Sequence, residues 1–229
     1  MSAANPAPFD LVIFDCDGVL IDSEIISAQM LIDALAARGV AIDLAYVSQH
    51  FLGRSYPTVM ETIRREFHLD LPAAFEDDYR ARLLDAFAQR LQIMPHVAGV
   101  LARLRVPHCV ATSSSPLRAQ SSLQMVGLGH LVGPHLFTAS QVPRGKPAPD
   151  LFLHAARVMG ARPNRCLVIE DSLTGVRAGL SAGMTVWRFV GGSHFGAQVP
   201  PEPFDAKPAL RFASFADFWQ IAPNMMEPA

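Results

Sequence analysis

Long apolar runs are missing from this chain. No stretch approaches 18 uninterrupted apolar residues, so no segment reads as membrane-spanning. Met1 to Asp10 has neither a basic start nor an apolar run, and a soluble, cytoplasmic protein is expected. Strong charge of one sign is missing too. A net charge of −2 gives no basic field for nucleic acid or an anionic membrane, and neither partner is expected. Cysteine is scarce: Cys16, Cys109 and Cys166 form an odd set without metal spacing, and the last two fall in apolar runs. They read as buried free thiols. The eight histidines form no H-x-x-x-H pair, which argues against a zinc site.

What is present suits a folded enzyme. The 229 residues, 50% hydrophobic and 17% charged, fit one large or two unequal domains, expected to act as a monomer. Leu11-Val12-Ile13-Phe14 is a run of apolar residues, mostly β-branched or aromatic, of the kind buried on both faces of a parallel sheet. Asp15 and Asp17 follow at once. Ligands bind outside the carboxyl ends of strands in open α/β sheets, and a spacing of two lets both carboxylates leave the chain on one side. Gly18 frees the backbone for a sharp turn or a close approach.

Helical spacing follows over 24–38, closed by Gly39 and capped by Asp22 or Ser23, then over 57–67 and 75–91. No convincing strand lies between Asp22 and Met94. The expected organisation is an α/β, Rossmann-like parallel-sheet core over 1–21 and 95–229, with a helical cap domain inserted over 22–94. Alternation resumes with a helix from Val97, the strand Cys109-Val110-Ala111 and the polar run Thr112-Ser113-Ser114-Ser115. A helix opens at Pro116, and Leu136 to Ala139 reads as a short strand. Gly145-Lys146-Pro147-Ala148-Pro149-Asp150 leads into another helix. The buried strand Cys166-Leu167-Val168-Ile169 ends in Glu170-Asp171-Ser172, and Thr185 to Phe189 reads as a fifth strand. From Val190 the signal weakens through a proline-rich stretch to a short helix near Phe215–Ile221 and a tail expected to fray.

Three strands thus end in polar groups that a parallel sheet gathers at one edge: Asp15 and Asp17, Thr112 and Ser113, Glu170 and Asp171. Crowded carboxylates need a cation, and hard oxygen ligands without His or thiolate suit Mg²⁺, the implied cofactor. Phosphoryl transfer needs a nucleophile, a proton donor for the leaving oxygen and positive charge on the equatorial oxygens. Asp15 suits the nucleophile, forming an aspartyl phosphate, and Asp17 the acid and base. Thr112 or Ser113 would donate to the phosphoryl group, with Ser114 beside them. Lys146 adds a second cation that helps keep Asp15 ionised.

This order of motifs resembles the haloacid dehalogenase superfamily, in particular its phosphatase-like members. Asp15 and Asp17 match the D-x-D motif, Thr112 the strand-closing hydroxyl, Lys146 in Gly145–Asp150 the lysine motif, and Glu170–Gly175 the final acidic motif. The resemblance covers nearly the whole chain to about Phe189. It implies Mg²⁺ held by Asp15, the backbone oxygen of Asp17, and Asp171, with Glu170 in or beside the shell. Phe51-Leu52-Gly53-Arg54-Ser55 resembles the cap loop that faces the active site in sugar-phosphate members, which makes Gly53 and Arg54 substrate-binding candidates. The branch it most resembles holds β-phosphoglucomutase and phosphatases of sugar and sugar-acid phosphates. Glu24 to Gln29 has no His of the kind that helps the mutases. Hydrolysis of a small phosphorylated metabolite is therefore expected, with a phosphosugar mutase as the alternative.

Overall fold

The computed structural model describes residues 8–196 and 199–226. The readings of the N-terminal segment before residue 8 and of the tail beyond 226 concern residues outside these. The chain runs β1 (Leu11–Phe14), α1 (Glu24–Ala36), α2 (Leu44–His50), α3 (Tyr56–Phe67), α4 (Ala73–Arg90), α5 (Val97–Arg103), β2 (His108–Thr112), α6 (Pro116–Met125) and α7 (Gly129–Val132). It continues through β3 (Leu136–Thr138), α8 (Asp150–Val158), β4 (Cys166–Glu170), α9 (Leu173–Ser181), β5 (Thr185–Phe189), β6 (Leu210–Phe212) and α10 (Phe218–Ile221).

The strands form one parallel sheet in the order β3-β2-β1-β4-β5-β6. β1 lies between β2 and β4, and the order reverses there, which opens a crevice at the carboxyl ends of β1 and β4. All four β1 side chains are fully buried. Val12 and Phe14 join a cluster with Leu35, Met60 and Phe87 of the helices, while Ile13 packs on the other face with Leu151, Phe152 and Ala155 of α8. Strand alternation explains the split. Each such burial is worth roughly 1.5–3 kcal/mol, enough to hold the strand end that carries the acids.

Helices α1 to α4 occupy the chain between β1 and α5. Among the described residues no helix is long and apolar enough to cross a membrane. The three cysteines are free and buried.

The structure adds elements beyond those expected. α2 has seven residues and buries only Val47, too short for a visible stripe. β6 is a three-residue edge strand with exposed Arg211 at its centre, beyond the prolines. Neither Asp22 nor Ser23 caps α1 with its side chain. Ser23 holds the N-cap position, but its hydroxyl donates to Asp17, and the Asp22 carboxylate accepts from the backbone and hydroxyl of Ser193.

Candidate active site

Asp15 is the first residue past β1, its N–H donating to Ile169 so that it still follows the sheet. Lys146 reaches over from the loop before α8. Its Nζ donates to Asp15 Oδ1 and Glu170 Oε1, both at 2.8 Å, and lies 4.8 Å from the Phe152 ring centroid. Glu170 ends β4 and is fully buried, and its other oxygen accepts from the N–H and hydroxyl of Ser172. Carboxylate oxygens of Asp15, Glu170 and Asp171 all lie within 4.8 Å of one another.

Burial pushes Asp15 well above the ordinary carboxylate range; Lys146 pulls it down, while Glu170, Asp171 and Asp17 push it further up. Asp171 is raised by burial and by Glu170. The expectation that Lys146 helps keep Asp15 ionised has the right sign, but one lysine serves a cluster of three buried acids, and burial prevails. Among the described residues, Asp171 Oδ2 is buried without a hydrogen-bond partner. Gly18 passes beside it with φ +76°, and a Cβ there would lie 2.1 Å from that oxygen. Only glycine fits such a contact at that backbone angle. Three carboxylates with an orphaned oxygen and no sulfur or imidazole in the set are donors that fit a hard cation.

Asp17 is in different surroundings. Its Oδ1 accepts from Ser23 at 2.6 Å and from Arg118 at 2.7 Å; its Oδ2 accepts from Ser114 at 2.6 Å and more weakly from Thr112 at 3.4 Å. Burial works to raise its pKa, yet Arg118 and the hydroxyls of Ser114 and Ser23 outweigh it and hold the group below the ordinary range. The structure does not bring the Asp17 side chain into the acid cluster with Asp15, Glu170 and Asp171.

Thr112 closes β2, and its hydroxyl also accepts from the Ser114 N–H. Ser113 donates to the carbonyl of Gly53, which ties the β2–α6 loop to the α2–α3 loop. Gly53 has φ +73°, and a Cβ there would come within 2.2 Å of Ser172 Oγ. The cavity above β1 is lined by Asp15, Asp17, Thr112, Ser113 and Ser114 from the sheet side, and by Gly53 and Arg54 from the helical side. Each sequence-derived candidate therefore lines this cavity or belongs to the acid cluster, except Lys146, which is bonded to two members of that cluster. A second cavity adjoins it, sharing Arg54, Tyr56, Tyr79, Ser113, Ser114 and Arg118.

Sequence reasoning passed over Arg118, Glu24 and His194. Arg118 lies in the first turn of α6, where a cation opposes the helix dipole, and that local inconsistency was the available signal. Glu24 lies in the first turn of α1, where an acid looks ordinary. It lines the cavity, and burial, with Asp17 and Asp171, pushes it up to about 8. His194 Nε2 lies 3.1 Å from Asp171 Oδ2 without the alignment of a hydrogen bond. It comes from the proline-rich stretch after β5, which gave no pattern.

The family described as haloacid dehalogenase-like hydrolase matches residues 9–183. The chain is 28% identical over 194 residues to the 6-phosphogluconate phosphatase of Escherichia coli (strain K12), covering 84% of this chain and 88% of that one. It is 31% identical over 186 residues to hexitol phosphatase A of the same organism, covering 76% and 80%. Among solved structures, a HAD family hydrolase from Deinococcus radiodurans R1 with bound phosphate and sodium superposes with a TM-score of 0.72 at 35% identity, covering 97% of this chain and all of that one.

Proposed function

The chain belongs to the haloacid dehalogenase-like hydrolases, and from that premise we propose that this phosphoric monoester hydrolase is a Mg²⁺-dependent phosphatase of a sugar or sugar-acid phosphate. The observation that carries the reading is the contrast between two carboxylates two residues apart. Asp15 lies against Lys146 in the acid cluster, while Asp17 is held apart by Arg118 and hydroxyls. That separation leaves one carboxylate beside the groups that can hold positive charge against it, and the other outside them, free to exchange a proton with the leaving oxygen and with water.

Asp15 is the nucleophile and takes the phosphoryl group as an aspartyl phosphate. Asp17 gives a proton to the departing alkoxide and then draws one from the water that hydrolyses the intermediate. Thr112 orients the phosphoryl oxygens, with Ser113 and Ser114 beside it, and Lys146 places positive charge among them. Asp15, Asp171, Glu170 and the backbone oxygen of Asp17 would hold Mg²⁺, which supplies further positive charge for the phosphoryl group. Residues 22–94 act as a cap over residues 1–21 and 95–229, and Gly53 and Arg54 read what lies beyond the phosphate. The similarity to phosphatases of 6-phosphogluconate and hexitol phosphates supports this substrate class.

A second reading, a phosphosugar mutase, keeps the same floor and needs a group that activates a second sugar hydroxyl. Glu24, lining the cavity with a pKa near 8, is the observation in its favour. One experiment tests both. The protein is given a panel of phosphorylated sugars and sugar acids, with and without a chelator, and free phosphate and isomerised sugar phosphate are measured. Phosphate release that stops on chelation and returns with Mg²⁺ is expected. Release that persists in excess chelator refutes the metal assignment, and isomerisation with little free phosphate favours the mutase.

A further inference from the structure

Arg118 lines the cavity and reaches Asp17. Its Nη2 donates to Asp17 Oδ1 at 2.7 Å and to the Ser27 hydroxyl of α1 at 3.2 Å, and its guanidinium stands 5.3 Å from the Phe87 ring centroid of α4. Ser23, Ser114 and Thr112, the other side chains on Asp17, are neutral hydroxyls that can rotate. The guanidinium is planar, permanently charged and braced on two helices, so it sets the direction of the carboxylate more firmly than they do. The residues of α6 that are fully buried are Ala119, Ser122 and Leu123; Arg118 instead extends to Asp17, Ser27 and Phe87.

We propose that Arg118 is a positioning residue for the hydrolysis: it fixes the Asp17 carboxylate at the leaving-group oxygen, and through Ser27 and Phe87 it ties that placement to the seating of the helical segment. The inference rests on Asp17 being the acid–base group. It goes beyond that role by assigning the geometry of Asp17 to a residue 101 positions away.

The consequence is a dependence on the leaving group. In substituted phenyl phosphates the ring contacts stay nearly constant while the acidity of the phenol changes, and a poor leaving group needs the proton most. The full chain, saturated with Mg²⁺, is compared with Arg118→Lys, Arg118→Met, Asp17→Asn, Ser27→Ala and the Asp17→Asn/Arg118→Met double variant. Arg118→Met is expected to lose about 10- to 100-fold in kcat on the least acidic phenol and under about threefold on the most acidic, with KM little moved. Arg118→Lys should restore part of the loss, and Ser27→Ala should give a smaller loss of the same shape. In the Asp17→Asn background Arg118→Met should cost less than about a further twofold, because the carboxylate it positions is gone.

A loss by Arg118→Met that is uniform along the series, or one that multiplies with Asp17→Asn, overturns the proposal. A flat series for Asp17→Asn itself overturns the acid–base reading, and the positioning role falls with it. A steep Asp17→Asn series beside a flat Arg118→Met series overturns the positioning role alone. Should Arg118→Met not fold, as judged by circular dichroism, Arg118→Lys and Ser27→Ala carry the same comparison.

Discussion

At the carboxyl ends of β1 and β4 the ionisable groups are sunk in the protein: Asp15 is 4% exposed, Lys146 6%, Glu170 0% and Asp171 1%. Across the cavity the helical segment presents exposed Arg54, and Glu24, Ser27 and Tyr56 only partly buried. The two sides meet at one cavity but differ in kind. The floor is held by charge and strand geometry, with Lys146 bonded to both Asp15 and Glu170. In the wall, Ser27 is tied to Arg118 and Tyr56 stacks on Tyr79, while Arg54 is exposed and can be changed without touching the sheet. Reaction chemistry belongs where geometry is over-determined, and discrimination belongs where side chains are free to vary.

The largest effect expected from this division is on the floor. Asp15→Asn keeps the shape of the residue and removes the charge of the proposed nucleophile, so turnover should fall at least ~10³-fold, roughly 4 kcal/mol of barrier, with the fold intact. Steady-state phosphate release beside circular dichroism checks it. Turnover near the wild-type rate would mean that the chemistry is not at the end of β1, and the comparison would break.

Lys146→Met comes next. It leaves Asp15 and Glu170 without the cation they share, and breaking a buried pair by deleting one partner typically costs about 3–5 kcal/mol. Part of this is relieved if an acid takes up a proton, so about 3 kcal/mol is expected by denaturant unfolding in the absence of metal. The matching deletion in the wall, Arg54→Ala, should change stability by less than about 0.5 kcal/mol. Similar costs for the two would erase the distinction between floor and wall.

The floor is also the part that was legible in the sequence. Asp15, Thr112 and Glu170 lie at or just past the ends of apolar runs, and a parallel sheet must bring such ends together. Lys146 was legible as part of a motif in order. What escaped were groups whose roles exist only in three dimensions. Ser23 resembles an ordinary helix cap until its hydroxyl is seen on Asp17. Arg118 and Asp17 are 101 residues apart, with no local pattern joining them. β6 escaped because three residues with an exposed arginine in the middle carry no periodicity, although Val190 N–H donates to Phe212 at that edge.

A smaller effect separates the wall by substrate. If Arg54 reads the substrate beyond its phosphate, Arg54→Ala should lower kcat/KM on the preferred metabolite by about 10- to 30-fold, up to about 2 kcal/mol, and on a small aryl phosphate by less than about threefold. Equal losses on both would remove Arg54 from the specificity surface.

The smallest effect decides to which side Glu24 belongs. Its carboxyl lies on the helical side, yet burial, then Asp17 and Asp171, push it from an ordinary 4.5 up to about 8, with His194 and Arg118 pulling the other way. Because the folded protein holds this proton more tightly than the unfolded chain, the stability from this group is fully present below about pH 4.5. It is lost as pH climbs towards 8, since over that window the unfolded state has released the proton and the folded state has not. The full difference would be several kcal/mol, but the side chain is only partly buried, and solvent screening brings the expected effect to about 1 kcal/mol. Glu24→Gln keeps a neutral group of the same shape at every pH. In metal-free protein its Tm should therefore match wild type near pH 5 and exceed it by about 2–4 °C near pH 8. Diverging melting curves would place Glu24 with the buried floor despite its position on the helix. Parallel curves would leave it among the solvated groups of the wall, and would remove the main support for a second acid–base group in the cavity.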